Sequence, residues 1–169
     1  MARLPRYVLP GQPQHIIQRG NNRQVLFASD TDFQFFRDAM VSAADQQGLA
    51  IHAYVWIDNH IHLLSTPQHK HSISRVLQSV GRKYVQYFNA SYKRTGTLWE
   101  GRYRATVVDS EQYLLTLMRY IELSPVRVGL TAHPRDSAWS SYARNAQAAT
   151  DANSDWIKPH RNICKSHEA

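Results

Sequence analysis

The chain has little cysteine, no long apolar stretch, and fewer acidic than basic residues. Its single cysteine, Cys164, cannot form a disulfide within the chain. No apolar run approaches the roughly 20 residues that a membrane-spanning helix needs, and the first residues lack the apolar core of a signal peptide. We therefore expect a protein of the reducing cytoplasm that has no membrane partner.

The overall composition predicts one folded domain. Hydrophobic residues make up 43% of the chain and charged residues 20%, which is typical of a globular protein and not of a disordered one. A chain of 169 residues is long enough to bury a substantial core. No internal repeat or long linker indicates a second domain.

Positive charge is in excess and unevenly distributed. The net charge is +7, and residues 70–104 carry eight basic residues against one acid, whereas residues 28–69 carry one base against five acids. Aromatic residues are interleaved with the bases of the second stretch, namely Tyr84, Tyr87, Tyr92, Trp99 and Tyr103. Segregated positive charge beside aromatic rings favours a nucleic-acid partner. The alternative is a basic surface whose rings belong to the core.

Hydrophobic periodicity and turn residues predict the element order β-α-β-β-α-β-α. The predicted elements are a strand Gln14–Arg19, a helix from Ser29 or Asp30 to Gly48, a hairpin of 50–57 and 60–66, a helix from Ser72 to Gly96, a strand 105–109 and a helix from Glu111 to about Leu123, stopped by Pro125. This order predicts an α+β fold of the ferredoxin-like type, a β-α-β-β-α-β sandwich. It places the first strand beside the strand 60–66, and the third helix is additional.

Two histidines of the hairpin form a candidate metal site. In a strand, residues i and i+2 point to the same face, so the imidazoles of His60 and His62 project side by side. Paired neutral imidazoles provide half of a divalent-metal site. The same pattern is also common for two half-exposed polar residues that bind nothing.

The third predicted helix carries a line of hydroxyl groups. Tyr113, Thr116, Tyr120 and Ser124 follow one another at spacings of three and four, so they share one helix face. A tyrosine on a helix is ordinarily a half-buried core residue with its hydroxyl at the rim. The pattern alone does not choose between that role and a catalytic one.

Several segments together resemble the REP-associated tyrosine transposases, which are relatives of the single-tyrosine HUH transposases of small insertion sequences. In family order the segments are Pro10-Gly11, Gln18-Arg-Gly-Asn-Asn22, Trp56 to Leu64 with His60-Ile-His62, Leu98-Trp-Glu-Gly-Arg-Tyr-Arg104, Tyr120-Ile-Glu-Leu-Ser-Pro-Val-Arg127 and Trp139-Ser-Ser-Tyr142. The resemblance covers about residues 3–142. We therefore expect a transposase domain over 1–142 with a basic N-terminal arm, followed by a polar tail, 143–169.

The resemblance implies a specific chemistry. His60 and His62 would hold a divalent ion, Mg²⁺ or Mn²⁺, and Tyr120 would attack single-stranded DNA to form a 5′-phosphotyrosine and a free 3′-OH. The family usually has asparagine at the position of Ser124, where an amide is the expected third metal ligand. Ser124 could ligate directly, ligate through water, or only cap the helix end.

The resemblance also implies a DNA partner. The expected target is an imperfect hairpin with a short single-stranded 5′ sequence, the REP element of bacterial genomes. Candidate contacts to DNA are Arg3, Arg6, Arg19, Arg23, Arg82, Arg102, Arg104 and Arg127. We expect a monomer, with a dimer as the alternative.

Two other functions are compatible with the residues. One is a nucleic-acid-binding protein on the same scaffold that does not cleave its partner. The other is a metal-dependent phosphodiesterase that uses the two histidines and a water nucleophile. An adduct between Tyr120 and DNA distinguishes the transposase from both.

Overall fold

A computed structural model shows a four-stranded antiparallel sheet with helices on both faces, and the structure describes residues 7–147 and 155–160. The main elements are β1 (Gln14–Arg19), α1 (Asp30–Gln47), β2 (Leu49–Ile57), β3 (His60–Pro67), α2 (Ser72–Ser91), β4 (Arg104–Val107), α3 (Glu111–Arg127) and α4 (Tyr142–Gln147). The predicted order of strands and of the first three helices is confirmed.

The sheet order is β2-β3-β1-β4, so β1 and β3 occupy its interior. In the register between them, Ile17 lies opposite His62 and Arg19 opposite His60. The first strand therefore lies beside the histidine strand, as the ferredoxin-like order predicts. Because cross-strand partners share a face, the side chains of β1 contribute directly to the surroundings of the two histidines.

α1 and α2 cover one face of the sheet. Ser29 and Asp32 form a capping box at the start of α1, and Gly48 ends it in the left-handed conformation, with φ 65°. The core below these helices includes Phe36 and Tyr84, both with at most 1% of their surface exposed. This layer is the rigid support for the opposite face.

α3 covers only part of the other face. Its buried stripe of Leu114, Leu117, Met118 and Ile121 packs with Val55 of β2 and other apolar residues of β2 and β3. On the half formed by β1 and β4 the same face remains open, because Arg19, Arg104 and Thr106 are exposed. The sheet thus has an open floor beside α3.

Two predicted helix ends were wrong. α2 ends at Ser91, before Gly96, and Lys93 takes the positive φ of 52° that turns the chain. α3 continues through Pro125 to Arg127. Proline lacks an N–H and breaks the interior of a helix, but in the last turn it removes only the bond to the carbonyl of Ile121.

Residues after α3 return to the sheet. Trp156 packs against the core, Ile157 is buried in it, and the Lys158 N–H donates to the carbonyl of Ile51 at 2.8 Å. Part of the segment predicted as a polar tail therefore lines β2. Within residues 7–147 and 155–160, no helix combines the length and the apolar character required to cross a membrane.

Candidate active site

Tyr120 and the two histidines lie together on the open side of the sheet. The rings of His62 and Tyr120 have centroids 6.0 Å apart and planes at 80°, and the centroids of His60 and His62 are 5.1 Å apart. Tyr120 is 40% exposed. Tyr120, the predicted nucleophile, is therefore accessible and lies next to His62, one of the two predicted metal ligands.

Both histidines have the Nδ1 atom engaged. Nδ1 of His60 is 2.6 Å from Oδ1 of Asn59, and Nδ1 of His62 is 3.0 Å from Nε2 of His15. No described residue hydrogen-bonds the Nε2 atom of either ring. A histidine that ligates a metal through one nitrogen usually has the other fixed in this way.

The surroundings keep both imidazoles neutral. Burial, followed by the charges of His15, His60 and Arg19, lowers the pKa of His62 to about 3. Burial and the nearby Arg19 guanidinium also lower the pKa of His60. A neutral imidazole has the free lone pair that a metal requires.

His15 is a site residue that the sequence reasoning did not identify. Its ring stacks on His62 with centroids 5.2 Å apart, and burial lowers its pKa to about 4. In β1, His15 shares a face with Ile17 and Arg19, and Ile17 pairs with His62. The alternation of β1 together with the predicted β1–β3 adjacency was the signal that could have found it.

Ser124 points toward its own helix. It is 5% exposed, and its hydroxyl donates to the carbonyl of Tyr120 at 2.8 Å. Because Oγ acts as the donor in this bond, it keeps a lone pair that a metal could use as a weak oxygen ligand. The Ser124 side chain makes no other hydrogen bond with a described residue.

The donor set fits a divalent ion that carries other ligands as well. Two neutral imidazole nitrogens leave an octahedral shell to be completed by water and phosphate oxygens. Over the described part of the chain, no group of three or more His, Cys, Asp and Glu side chains is arranged to hold a metal. The arrangement suits an ion shared with a phosphate and not a closed structural site.

Arg127 lies over the ring of Tyr120. Its Cζ atom is 4.4 Å from the ring centroid, a distance at which a guanidinium is attracted to the face of an aromatic ring. Both residues belong to α3, one on each side of Ser124. The cation therefore packs on a face of the phenol ring within the same helix.

The other candidate arginines fall into separate groups. Arg19 and Arg104 are exposed at the open half of the sheet, on the face of the two histidines. Arg82 and Arg102 are exposed beside a groove on the opposite side, and Arg23 is exposed in the short turn after β1. Arg3 and Arg6 lie outside the described residues.

A transposase family model and the solved structure of a transposase match this chain. A family model described as "Transposase IS200 like" matches residues 11–124. The structure of a REP-associated tyrosine transposase bound to a REP hairpin is 18% identical, with a TM-score of 0.74, and covers 91% of this chain and 90% of that one. A putative transposase from Deinococcus radiodurans is 23% identical, with a TM-score of 0.49, over 72% of this chain and 96% of that one. A search of curated proteins gives no match.

Proposed function

The chain belongs to the IS200-like transposase family, and we propose that it cuts and rejoins single-stranded DNA with Tyr120 as the nucleophile. The observation that carries this proposal is the position of Tyr120, exposed and 6.0 Å from the ring of His62 between their centroids. An exposed phenol beside paired neutral imidazoles and an arginine is suited to react with a phosphodiester.

The proposed reaction exchanges one phosphate ester for another. The Tyr120 oxygen attacks the phosphorus, a tyrosine O–P bond forms, and the bond from phosphorus to the 3′ oxygen breaks. The phenol loses its proton and the departing 3′ oxygen gains one, so the products are a 5′-phosphotyrosine and a free 3′-OH. Because the adduct is itself a phosphodiester, a 3′-OH can later attack it and rejoin DNA without a nucleotide cofactor.

His60 and His62 would hold Mg²⁺ or Mn²⁺ through their Nε2 atoms, with Ser124 as a candidate third ligand. What a divalent ion supplies in such a site is withdrawal of negative charge from a phosphate. His15 and Asn59 would fix the orientation of the two rings, since each contacts the Nδ1 atom of one of them. Arg127 would keep the phenol ring beside His62 and attract the scissile phosphate.

The proposed substrate is a REP-like hairpin with an unpaired segment. A relative with this fold, 18% identical, is bound to a REP hairpin. In this chain Arg19 and Arg104 are exposed on the sheet face of the two histidines, and Arg127 lies over the ring of Tyr120. Arginines at such positions bind phosphates and leave base recognition to other contacts. We propose a monomer in the cytoplasm, where the DNA lies.

Formation of a covalent adduct tests the proposal. A labelled hairpin with single-stranded flanks is incubated with the protein and Mn²⁺, and the expected product is a protein–DNA adduct that survives denaturation. Tyr120→Phe removes the hydroxyl and abolishes the adduct. Tyr113→Phe is the matched control, because Tyr113 lies on the same helix and is 45% exposed, and this variant should retain it.

The other outcomes identify the competing functions. Cleavage that survives Tyr120→Phe would mean a water nucleophile, as in a phosphodiesterase. Binding without cleavage by the wild-type protein would mean a non-catalytic DNA-binding protein. His60→Ala and His62→Ala should abolish cleavage and leave DNA affinity intact, since arginines supply the binding, and an equal loss of both would argue against a metal role.

A further inference from the structure

A groove of about 750 Å³ lies on the helix-covered side of the sheet, between α2 and the loop that leads into β4. Its floor is formed by Gln18 of β1 and Ile61 of β3, and Trp99 forms the wall opposite α2. The residues of α2 that line it include Leu77, Gly81, Arg82 and Val85. Such a volume is that of a small-ligand pocket.

The α2 wall has a notch at Gly81. Leu77, Gly81 and Val85 follow one another at intervals of four, so they form one line along the helix. Glycine destabilises the interior of a helix relative to alanine, and a Cβ at position 81 would meet only the side chain of Trp99, at 3.4 Å from Nε1. An alanine Cβ would therefore just touch the indole, whereas a larger side chain at position 81 would press against Trp99 and the groove beside it.

Polar groups in the groove lack partners. The indole Nε1 of Trp99 is buried and has no hydrogen-bond partner among the described residues. The amide of Gln18, a residue only 9% exposed, makes a long bond of 3.4 Å from Nε2 to the carbonyl of Gly101. Arg82 and Arg102 are exposed at the rim, and neither forms an ion pair with another described residue.

We infer that this groove binds one unpaired nucleotide of the DNA strand, an inference that rests on the proposed function. The apolar walls and the indole suit a nucleobase, which stacks on aromatic rings whatever its sequence. The Gln18 amide, whose bond to the Gly101 carbonyl is long, is available to the polar edge of the base. The two rim arginines provide charge complementary to the phosphates on either side.

The position of the groove connects it with Tyr120. Gln18 and Ile61 alternate along β1 and β3 with Arg19, His60 and His62, so the groove and the candidate active site lie back to back across the sheet. The loop of the groove is tied to the end of β1, because the Glu100 N–H donates to the Arg19 carbonyl at 2.8 Å. A strand that leaves the groove past Arg102 and Arg104 passes round the sheet edge to the open face.

Filling the notch beside Trp99 tests the inference. Affinity is measured for a blunt hairpin, for the same hairpin with a 5′ overhang and for one with a 3′ overhang. Gly81→Leu should weaken binding of one overhang DNA by about tenfold or more, the usual range for one stacked base, and should leave the blunt hairpin unaffected. Which overhang responds identifies the source of the nucleotide.

Matched arginine variants provide the control. Arg82→Gln should weaken the same overhang DNA, whereas Arg75→Gln, which removes an exposed arginine of α2 outside the groove, should have a much smaller effect. Gly81→Ala guards against misfolding, because alanine favours the helix. It should keep or raise the melting temperature while still weakening overhang binding. A 5-iodouracil in the overhang should crosslink to the peptide that contains Trp99.

Equal weakening of all three DNAs by Gly81→Leu, or no weakening of either overhang DNA, would overturn the inference. So would a change in oligomeric state with DNA affinity intact, which would assign the groove to a second copy of the chain. If wild-type protein forms the Tyr120 adduct while the notch variants bind normally, only this inference fails. If the wild type binds none of the DNAs, the proposed function fails with it.

Discussion

Tyr120 is held by ring contacts on two sides, and its hydroxyl remains reachable. The imidazole of His62 meets it edge to face, and the guanidinium of Arg127 lies over its ring. Neither contact uses the phenol oxygen. Orientation and reactivity therefore depend on different atoms of the same side chain, so neighbouring residues can be changed without removing the nucleophile.

His15→Phe should weaken binding of Mn²⁺ and leave DNA affinity unchanged. Phenylalanine keeps a ring against His62 but removes the nitrogen 3.0 Å from its Nδ1, and losing such an outer contact commonly costs about 10–100-fold in metal affinity. Mn²⁺ titration of the DNA-bound protein, followed by electron paramagnetic resonance, measures it. His15→Gln, whose amide oxygen can accept the hydrogen bond from His62 Nδ1–H, should restore part of the affinity, and unchanged Mn²⁺ binding in His15→Phe would contradict the role.

Ser124→Asn should lower the Mn²⁺ concentration needed for half-maximal adduct formation. The amide oxygen reaches further than the serine hydroxyl, which donates to the Tyr120 carbonyl, and one additional ligand worth about 1.4 kcal/mol is a tenfold gain. Thr116→Asn is the matched control, because Thr116 makes the same kind of bond, to the Gln112 carbonyl, two turns earlier on α3. A requirement that rises or stays equal would show that position 124 supports only the helix.

At the level of elements, local signals predicted the starts of helices and the hairpin well. The capping box at Ser29 and the serine cap at Ser110 act within one turn, so a short window of sequence contains all of the information. The end of α3 was not predictable in this way. Pro125 is buried, and the packing of the last turn outweighs the local preference to stop.

A buried hydrogen-bond network fixes α3 to the segment that follows it. Oε1 of Glu122 accepts from Ser141 Oγ and from Asn145 Nδ2, both at 2.7 Å, and Ser141 also accepts from the Tyr54 N–H of β2. Burial raises the pKa of Glu122, while the two hydrogen bonds oppose that rise. The helix that carries Tyr120 is thus connected to β2 through a loop and α4.

Ser141→Ala should lower the free energy of unfolding by about 1–3 kcal/mol, because it leaves a buried carboxyl group with one partner fewer. Chemical denaturation followed by circular dichroism measures this change. Ser140→Ala is the control, because the neighbouring hydroxyl makes only long contacts of 3.4 Å to Ser137 and Tyr142 and does not touch α3. If Ser140→Ala and Ser141→Ala lowered the free energy of unfolding equally, the hydrogen bonds to Glu122 would not be what stabilises this region.

At the level of the whole molecule, the sheet order followed from the sequence, whereas contacts between distant segments did not. The β-α-β-β-α-β order fixes β1 beside β3 through the geometry of the fold. Nothing in the local pattern of residues 155–160 indicates that Ile157 belongs to the core, since one apolar residue in a polar stretch has no periodicity. The same limit hid the groove, which is formed by residues from β1, α2 and the loop before β4.

Stability should fall as the pH drops from about 6.5 to 4, partly through His52. Burial lowers the pKa of His52 to about 4, with a smaller opposing effect of the Lys158 carbonyl and a further lowering by His160. Between these pH values the unfolded chain binds a proton at His52 that the folded chain does not. The free energy of unfolding therefore falls by up to about 1.4 kcal/mol for each pH unit of acidification. Above pH 6.5 this contribution is fully present.

The contribution of His52 to this pH dependence can be separated from that of the other buried histidines by comparing variants. In His52→Gln the slope of unfolding free energy against pH should be smaller than in the wild type between pH 4 and 6.5, whatever the variant costs at pH 7. His71→Gln is a suitable control, since His71 is exposed at the start of α2. Parallel curves for wild type and His52→Gln would mean that His52 titrates normally in the folded protein.

The bonds from Ser141 and Asn145 to Glu122 have a consequence for genes of this kind that have been cut short. A reading frame interrupted after the codon for Trp139 would still encode Tyr120 and both histidines of the hairpin. Its product would lack the anchor of the helix that presents the tyrosine, so a survey that counts intact motifs would score a defective copy as a working one.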